Sequence, residues 1–498
     1  MQTKVSRKEF LQGSAAGVAG LAVSSMLTSA NASAEEAATG LKVGAAIRDI
    51  TPTDDMLPIH SGNARMGLRI VGVIEGLNLR VIAAQNDDGP ISLIIAVETG
   101  KGPYAPQFIK WLSEATGVAE ENIFWSATHS HAAPEITDAD WETMEDQYND
   151  ETGKNEGRYE NLRLWGYLVK DQLIDAANEA IANMQEAEVG IGYSESYINV
   201  NRTTKYTDAS TGEVTYGEGV NGAGPVDRTL AVIEFRARES QEPIAFIINY
   251  AMHGTAMYGN LYFLPEYADV NGFTEDEIHR DDTLMDDDEI ENNSIGIHPD
   301  IMGVVSDYVE AANPGAVALW MSGAAGNTNP IFRNNMIYAD PETGLKTESN
   351  VPGADVEAVN YYAAVQFVDV KDAIAAIPSF SSDVPITHAW GGTELPNAEE
   401  GGDPVNMYLS VMRMGDITLV GCPNEIYRGI GQEIINNSPC ENTLVVNHCW
   451  THEEESTGYC PDDYSLENGS DKRASYSVGI DAAMSELANE LYEEAEPV

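Results

Sequence analysis

Four shortages in this 498-residue chain each exclude something. Basic residues are scarce: 27 Lys and Arg face 80 Asp and Glu, for a formal net charge of −53. A surface of that sign repels polyanions, which excludes nucleic acid and anionic lipid surfaces as direct partners. Cysteine is confined to Cys422, Cys440, Cys449 and Cys460, with no C-x-x-C pair, so a zinc ribbon or thioredoxin-type motif is excluded. Beyond the N-terminus no uninterrupted apolar run is long enough to cross a bilayer, and no transmembrane segment is expected there. Internal repeats and long low-complexity tracts are missing too, which rules out a solenoid or a disordered chain.

What is present points to a large soluble enzyme-sized domain. Hydrophobic residues make up 43% of the chain and aromatics 8%, enough for a substantial core. Residues 1–34 read as a signal peptide: Lys4, Arg7 and Lys8 form a basic start, Gly13 to Leu27 a modest apolar stretch, and Ala30 to Ala34 a small-residue cleavage region. Ser6-Arg7-Lys8-Glu9-Phe10-Leu11 resembles a twin-arginine signal with lysine in the second place. Residues 35–498 are then expected as one exported domain, at the cell surface, in the periplasm or outside the cell. In that setting four cysteines allow three pairings, and a disulfide bracing the site described below is expected. Acid clusters at Asp138 to Glu151 and Glu275 to Glu291 read as solvated loops. The second lacks the alternation and mid-loop glycine of a calcium loop.

Apolar runs and amphipathic stretches interleave along the chain, so the fold class is α/β, a mixed sheet with flanking helices. Strands are expected near Leu41–Ile50, Leu77–Ala84, Ile91–Val97, Ile123–Trp125, Ala187–Tyr193, Leu230–Arg236, Ile244–Ala251 and Val317–Met321. Helices are expected near Pro106–Thr116, Tyr159–Met184, Ile301–Ala312, Asp355–Ala376 and Ile480–Glu493, and a hairpin joins Tyr408–Met414 to Ile417–Gly421.

Four of these segments share a design in which an apolar strand runs into a loop bearing a metal-ligand residue type. They present His129, His253, Glu425 and Tyr459. Zinc accepts imidazole nitrogen and carboxylate oxygen, and a catalytic site keeps a position open; tyrosine is an unusual ligand. His131 lies two residues beyond His129, and in extended chain both rings face one way. Plainer readings stand beside these: the two loop histidines could be hydrogen-bonded decoration, His253 a structural histidine, and Glu425 the first acid of a helix. A competing pair, His448 and His452, has the H-x-x-x-H spacing of a helical metal site. That segment follows the strand-like Thr443-Leu444-Val445-Val446, which argues against a helix there.

The run Ser126-Ala127-Thr128-His129-Ser130-His131-Ala132-Ala133-Pro134 resembles the T-H-T-H-S-x-P signature of the neutral/alkaline ceramidase family. The likeness spans nearly the whole mature chain in order: Gly44 to Pro52, Asn199 to Arg202, Ala251 to Thr255, His298 to Gly303, and Gly323 to Pro330. It implies an exported zinc-dependent amidohydrolase that cleaves the N-acyl bond of ceramide or a related N-acyl lipid through a zinc-activated water. By the same resemblance His129, His253, Glu425 and Tyr459 would hold Zn2+, His131 would handle protons, and Arg202 would bind polar substrate atoms. Tyr464 and Tyr476 would fall near the scissile amide. This chain departs from the family pattern at Asn327 and Asn329, where the family turn has Asp and Ser, and at Tyr476-Ser477 in place of a Tyr-Glu pair. It also stops about one helix after the last motif, where the family continues into an immunoglobulin-like domain. A zinc hydrolase of another N-acyl amine or small amide, and a non-catalytic acidic surface protein keeping the fold, remain alternatives.

Overall fold

The computed structural model describes residues 40–60, 69–101, 105–135, 158–258, 294–333, 335–350, 355–451, 458–471 and 473–496. The signal-like segment, both acidic clusters and His452 lie outside the described residues.

The main sheet has eight strands: β1 Leu41–Asp49, β2 Asn78–Asn86, β3 Ser92–Val97, β4 Ile123–Ala127, β5 Gln185–Glu195, β8 Thr229–Ala237, β9 Pro243–Tyr250 and β10 Val317–Ser322. Set apart from this sheet is a hairpin, β6 Asn199–Thr207 with β7 Val214–Asn221, to which β11 Thr328–Pro330 adds a third strand. Across the sheet the order is β10-β9-β8-β5-β1-β2-β3-β4. Pairing is antiparallel through the middle and parallel only at the two edges, β9 with β10 and β3 with β4. Each parallel edge needs a crossover. A helix at Ala105–Thr116 (α1) makes one of them, and Asp300–Ala312 (α3) leads into β10 in the other. Between these helices in the chain lies the long α2, Arg158–Ala182, and after them α4, Asp355–Ala375.

Period-two alternation sorts the sheet's side chains into two cores. Val81, Ala83, Leu93 and Ile95 join α1 and α2 residues such as Phe108, Trp165 and Leu173. Val232, Ile248 and Trp320 pack under α3 and α4 on the same outer side. The intervening residues, among them Ile82, Ile94, Ile233 and Leu319, face a second sheet instead. That sheet is β12 Ile386–Leu395, β13 Val405–Met414, β14 Ile417–Gly421 and β16 Asn442–Val446, and it gives Met412, Leu419, Leu444 and Val446 to the shared core. Helices α5, Arg428–Asn437, and α6, Ile480–Glu494, cover its far face. The result is an α/β/β/α stack, a mixed α/β class as expected, with every predicted strand and helix of the main sheet present within a few residues. The β6–β7 hairpin was not anticipated. Its β7 strand is mostly exposed, so no core-facing alternation marks it.

The edges of the two sheets meet. Ser126 bridges Cys449, Trp450 N–H donates to Trp125 O at 2.9 Å, and Asn447 N–H donates to Ser322 O at 2.8 Å. This backbone stitching does the work expected of a disulfide. All four cysteines are free, buried thiols, so the bracing bridge anticipated from sequence is not formed. Cys449 N–H donates to Cys422 O, and burial pushes the Cys422 thiol up to about 12. Among the described residues no helix is long and apolar enough to cross a membrane.

Candidate metal centre

Loops at the carboxyl ends of strands from both sheets converge where the sheets meet. β4 delivers His129 and His131, β9 delivers His253, and β16 delivers His448. A two-residue parallel pair, β15 Glu425–Ile426 with β17 Tyr459–Cys460, matches Glu425 directly to Tyr459. The approach is close enough to dictate glycine at two points. A Cβ on Gly254 would stand 2.3 Å from His129 O, and one on Gly326 would stand 2.3 Å from Glu425 O.

Three imidazoles gather here: one ligand atom each from His129, His131 and His253 lie within 4.8 Å of one another. His131 Nε2 is 3.0 Å from His129 Nε2, and His253 Nε2 is 2.9 Å from Glu425 Oε2, which is also 3.9 Å from His129 Nε2. On their other sides the rings are fixed by backbone carbonyls, His129 Nδ1 at 2.5 Å from Gly100 O and His253 Nδ1 at 2.7 Å from Ala325 O. A carbonyl can only accept, so both rings carry the proton on Nδ1 and turn a bare Nε2 inward. His131 has no such carbonyl on Nδ1 among the described residues.

The electrostatics leave the centre short of positive charge. Burial drives His129 and His131 well below the usual imidazole range, and the neighbouring rings push the same way. Burial lowers His253 as well, with Arg202 adding to it. Burial alone would raise Glu425, but the His129 and His253 imidazoles beside it hold it well below the usual carboxylate range. With its Nδ1 committed to the Ala325 carbonyl, a neutral His253 ring would set a bare Nε2 lone pair against Glu425 Oε2 at hydrogen-bond distance. A shared cation resolves that contact, and the donor set of nitrogens and a carboxylate fits Zn2+.

His129 adopts φ 69° and His448 φ 56°, a left-handed backbone that costs a non-glycine residue about 1–2 kcal/mol. The His129 turn is held by the N–H groups of His129 and Ser130, both donating to Thr99 O. Its ring lies stacked on that of His448 at 3.7 Å. His448 is buried, its pKa lowered by burial to about 3, and its Nε2 finds no hydrogen-bond partner among the described residues. Sequence reasoning saw this residue only as half of a helical pair with His452. It instead repeats the strand-to-ligand-loop pattern of its neighbours, and that pattern was the signal available.

Behind the His129 loop, buried Arg80 pairs with Glu98 and reaches Asp307 and Glu310, each at 2.7 Å. Glu98 adjoins Thr99 and Gly100, whose carbonyls hold the His129 backbone and ring, so this cluster anchors the loop from below.

In front, Arg202 lies on β6. Its Nη2 donates to Gly326 O at 2.6 Å and stands 4.0 Å from Glu425 Oε2. The Tyr459 ring is stacked on His253 at 6.1 Å and sits between two guanidinium groups, Arg202 at 4.7 Å and Arg473 at 3.8 Å. Burial raises the Tyr459 phenol, while Arg202 and Arg473 work against the rise. Arg202, Tyr459, Tyr427, Asp471 and Arg473 wall a cavity of about 570 Å³ on the Arg202 and Tyr459 side of the cluster. Arg473 donates to the Tyr427 hydroxyl, which donates to Asp471. Sequence reasoning missed this Tyr427–Asp471–Arg473 network, and no motif marks it.

The structure brings together His129, His131, His253, Glu425, Tyr459 and Arg202. Tyr464 and Tyr476 stand apart from them. Tyr464 is 69% exposed and lines a second cavity. Tyr476 is buried in the core under α5 and α6, and its hydroxyl donates to Pro461 O at 2.9 Å.

No protein-family model matches the chain, and no curated protein matches it. Among solved structures, its fold matches neutral ceramidase from Pseudomonas aeruginosa with a TM-score of 0.61 and 15% identity, covering 93% of this chain and 76% of that one. It also matches a ceramidase complexed with C2, with a TM-score of 0.60 and 14% identity, over 92% of this chain and 77% of the other. At these identities the likeness establishes a shared fold.

Proposed function

We propose that this chain is an exported zinc-dependent amidase that hydrolyses an N-acyl amide bond, with ceramide or a related N-acyl lipid as its substrate class. The observation that carries the reading is the His253–Glu425 contact, two lone-pair-bearing atoms 2.9 Å apart that a cation would reconcile. The fold shared with neutral ceramidases supports the choice of amide chemistry.

His129, His253 and Glu425 would hold the ion, with Tyr459 paired beside Glu425 as the fourth group. When bound, Zn2+ supplies Lewis acidity and lowers the pKa of water to about 7. The residues do the rest. His129 and His253 are locked by their Nδ1 bonds, which suits ligands. His131 lacks such a carbonyl among the described residues, and its Nε2 lies 3.0 Å from His129 Nε2, beside the ion's place, which suits a group that accepts the proton of the attacking water and passes it to the leaving amine. Arg202, fixed through Gly326, presents its guanidinium beside Glu425 and Tyr459, where charge develops on the amide oxygen.

Metal analysis and an assay on labelled N-acyl-sphingosine test this. The expected result is about one zinc per chain and loss of turnover on chelation. A metal-free protein of full activity overturns the metal reading. Turnover of other N-acyl amines with none of N-acyl-sphingosine redirects the substrate.

A further inference from the structure

The second cavity, about 680 Å³, adjoins the first, and the two share Thr203, Tyr216 and Ser470 as walls. Along β6 the residues Asn201, Thr203 and Lys205 face it with the period of two expected of a strand. In a chain whose acids outnumber bases 80 to 27, its lining holds two cations, Lys205 and Arg428, and one acid, Asp462. That acid is already committed: its Oδ1 accepts from Ser465 N–H at 2.9 Å and its Oδ2 from Gly429 N–H at 3.0 Å. No carboxylate pairs with Lys205 or Arg428 among the described residues. Arg428 Nη2 reaches only the amide oxygen of Gln432 at 3.2 Å, and its Nε finds no acceptor. The first cavity differs, because Arg202 meets Glu218 at 3.7 Å and Arg473 holds Asp471 at 2.5 Å.

Two cations with no carboxylate partner among the described residues thus line one cavity, among amide side chains such as Asn201, Asn221 and Asn468. We propose that this cavity is a subsite for an oxyanion on the substrate, carried on a polar, hydrogen-bonding body joined to the amide. The cations act at short range, since the chain as a whole repels anions. Lys205 lies three residues beyond Arg202, about 10 Å along the strand, which sets the distance between the anion and the scissile bond. A sulfated or phosphorylated sugar headgroup and the carboxylate of a short peptide both meet that length.

The inference rests on the amidase reading for its substrate, and the experiment separates the two. Two matched pairs serve as probes: N-octanoyl galactosylsphingosine with and without a 3-O-sulfate, and N-octanoyl triglycine with a free or amidated C-terminus. Calorimetric binding of the two deacylated anionic products, sulfogalactosylsphingosine and triglycine, gives a readout that needs no catalysis. Wild-type protein should favour the anionic member of one pair by about ten- to a hundredfold in kcat/KM, and the pair that responds identifies the source of the anion. In Lys205→Glu and Arg428→Glu the ratio should fall towards one and calorimetric binding should weaken by a similar factor. Binding that is lost in these variants without turnover of any probe upholds the subsite and sinks the amidase. Turnover of the neutral members with no anion preference in either pair, or a preference unmoved by both charge reversals, overturns the subsite. So does an absence of calorimetric binding of both products to the wild type.

Discussion

The histidine cluster and the cavities in front of it are built by opposite means. Within the cluster every proposed ligand but Tyr459 is buried, the rings of His129 and His253 are clamped by carbonyls, and the loops are joined by main-chain bonds from both sheets. In the cavities the walls are polar and charged side chains from the β6–β7 hairpin, Gly469 to Asp471 and Arg473, several of them exposed. Backbone fixes the inner geometry, so it tolerates little change. Side chains shape the outer walls, so substrate choice can drift while the chemistry stays.

The comparison can be broken from the inside first. His129→Ala removes a clamped ligand and should abolish both zinc content and turnover, a loss of about a thousandfold or more; retained activity would mean that the cluster is not the reaction centre. His448→Ala removes the ring stacked on His129 and should weaken zinc affinity by about ten- to a hundredfold, as loss of an orienting neighbour does. Competition with a chromophoric chelator measures it. Arg473→Ala strips one guanidinium from the outer wall and should raise KM a few-fold with zinc content unchanged. A loss of metal in that variant would erase the inner–outer distinction.

The smallest effect is one of pH. Burial raises the Asp300 carboxyl to about 6, although Met257 and Ile301 N–H groups bond to it. Between about pH 4 and 6 the folded protein then binds a proton that the unfolded chain does not. The contribution of this group to stability is present below that window and fades as pH rises through it. Denaturant midpoints of Asp300→Asn should therefore fall less steeply with pH than those of the wild type across that interval.

Much of this was legible in the sequence, for a physical reason. Strands β4, β9 and β14 are buried apolar runs that stop abruptly at polar loops, and such stops betray His129, His253 and Glu425. Tyr459 was placed with them by the same strand-to-loop design, although tyrosine is an unusual ligand and its two-residue ladder with Glu425 leaves no periodic trace. His448 was set in the wrong company, since its nearest histidine in sequence is not its neighbour in space. The expected disulfide failed because proximity in the chain said nothing of how the two sheets are sewn together. The β6–β7 hairpin, which supplies Arg202 and much of the cavity wall, pairs a β6 strand whose buried residues include the polar Asn199, Asn201 and Arg202 with a largely exposed β7, so neither carries an apolar alternation.

The seam between the sheets has a further consequence. The proposed ligands run from residue 129 to residue 459, from loops after main-sheet strands β4 and β9 to the β15–β17 pair beyond the second sheet. An ion held there would act as a cross-link that closes the longest loops in the chain, like a rivet through two plates. Its removal should then be felt well away from the catalytic groups, as faster amide exchange along the Ser126–Cys449 bridge, where the second sheet would begin to lift from the first.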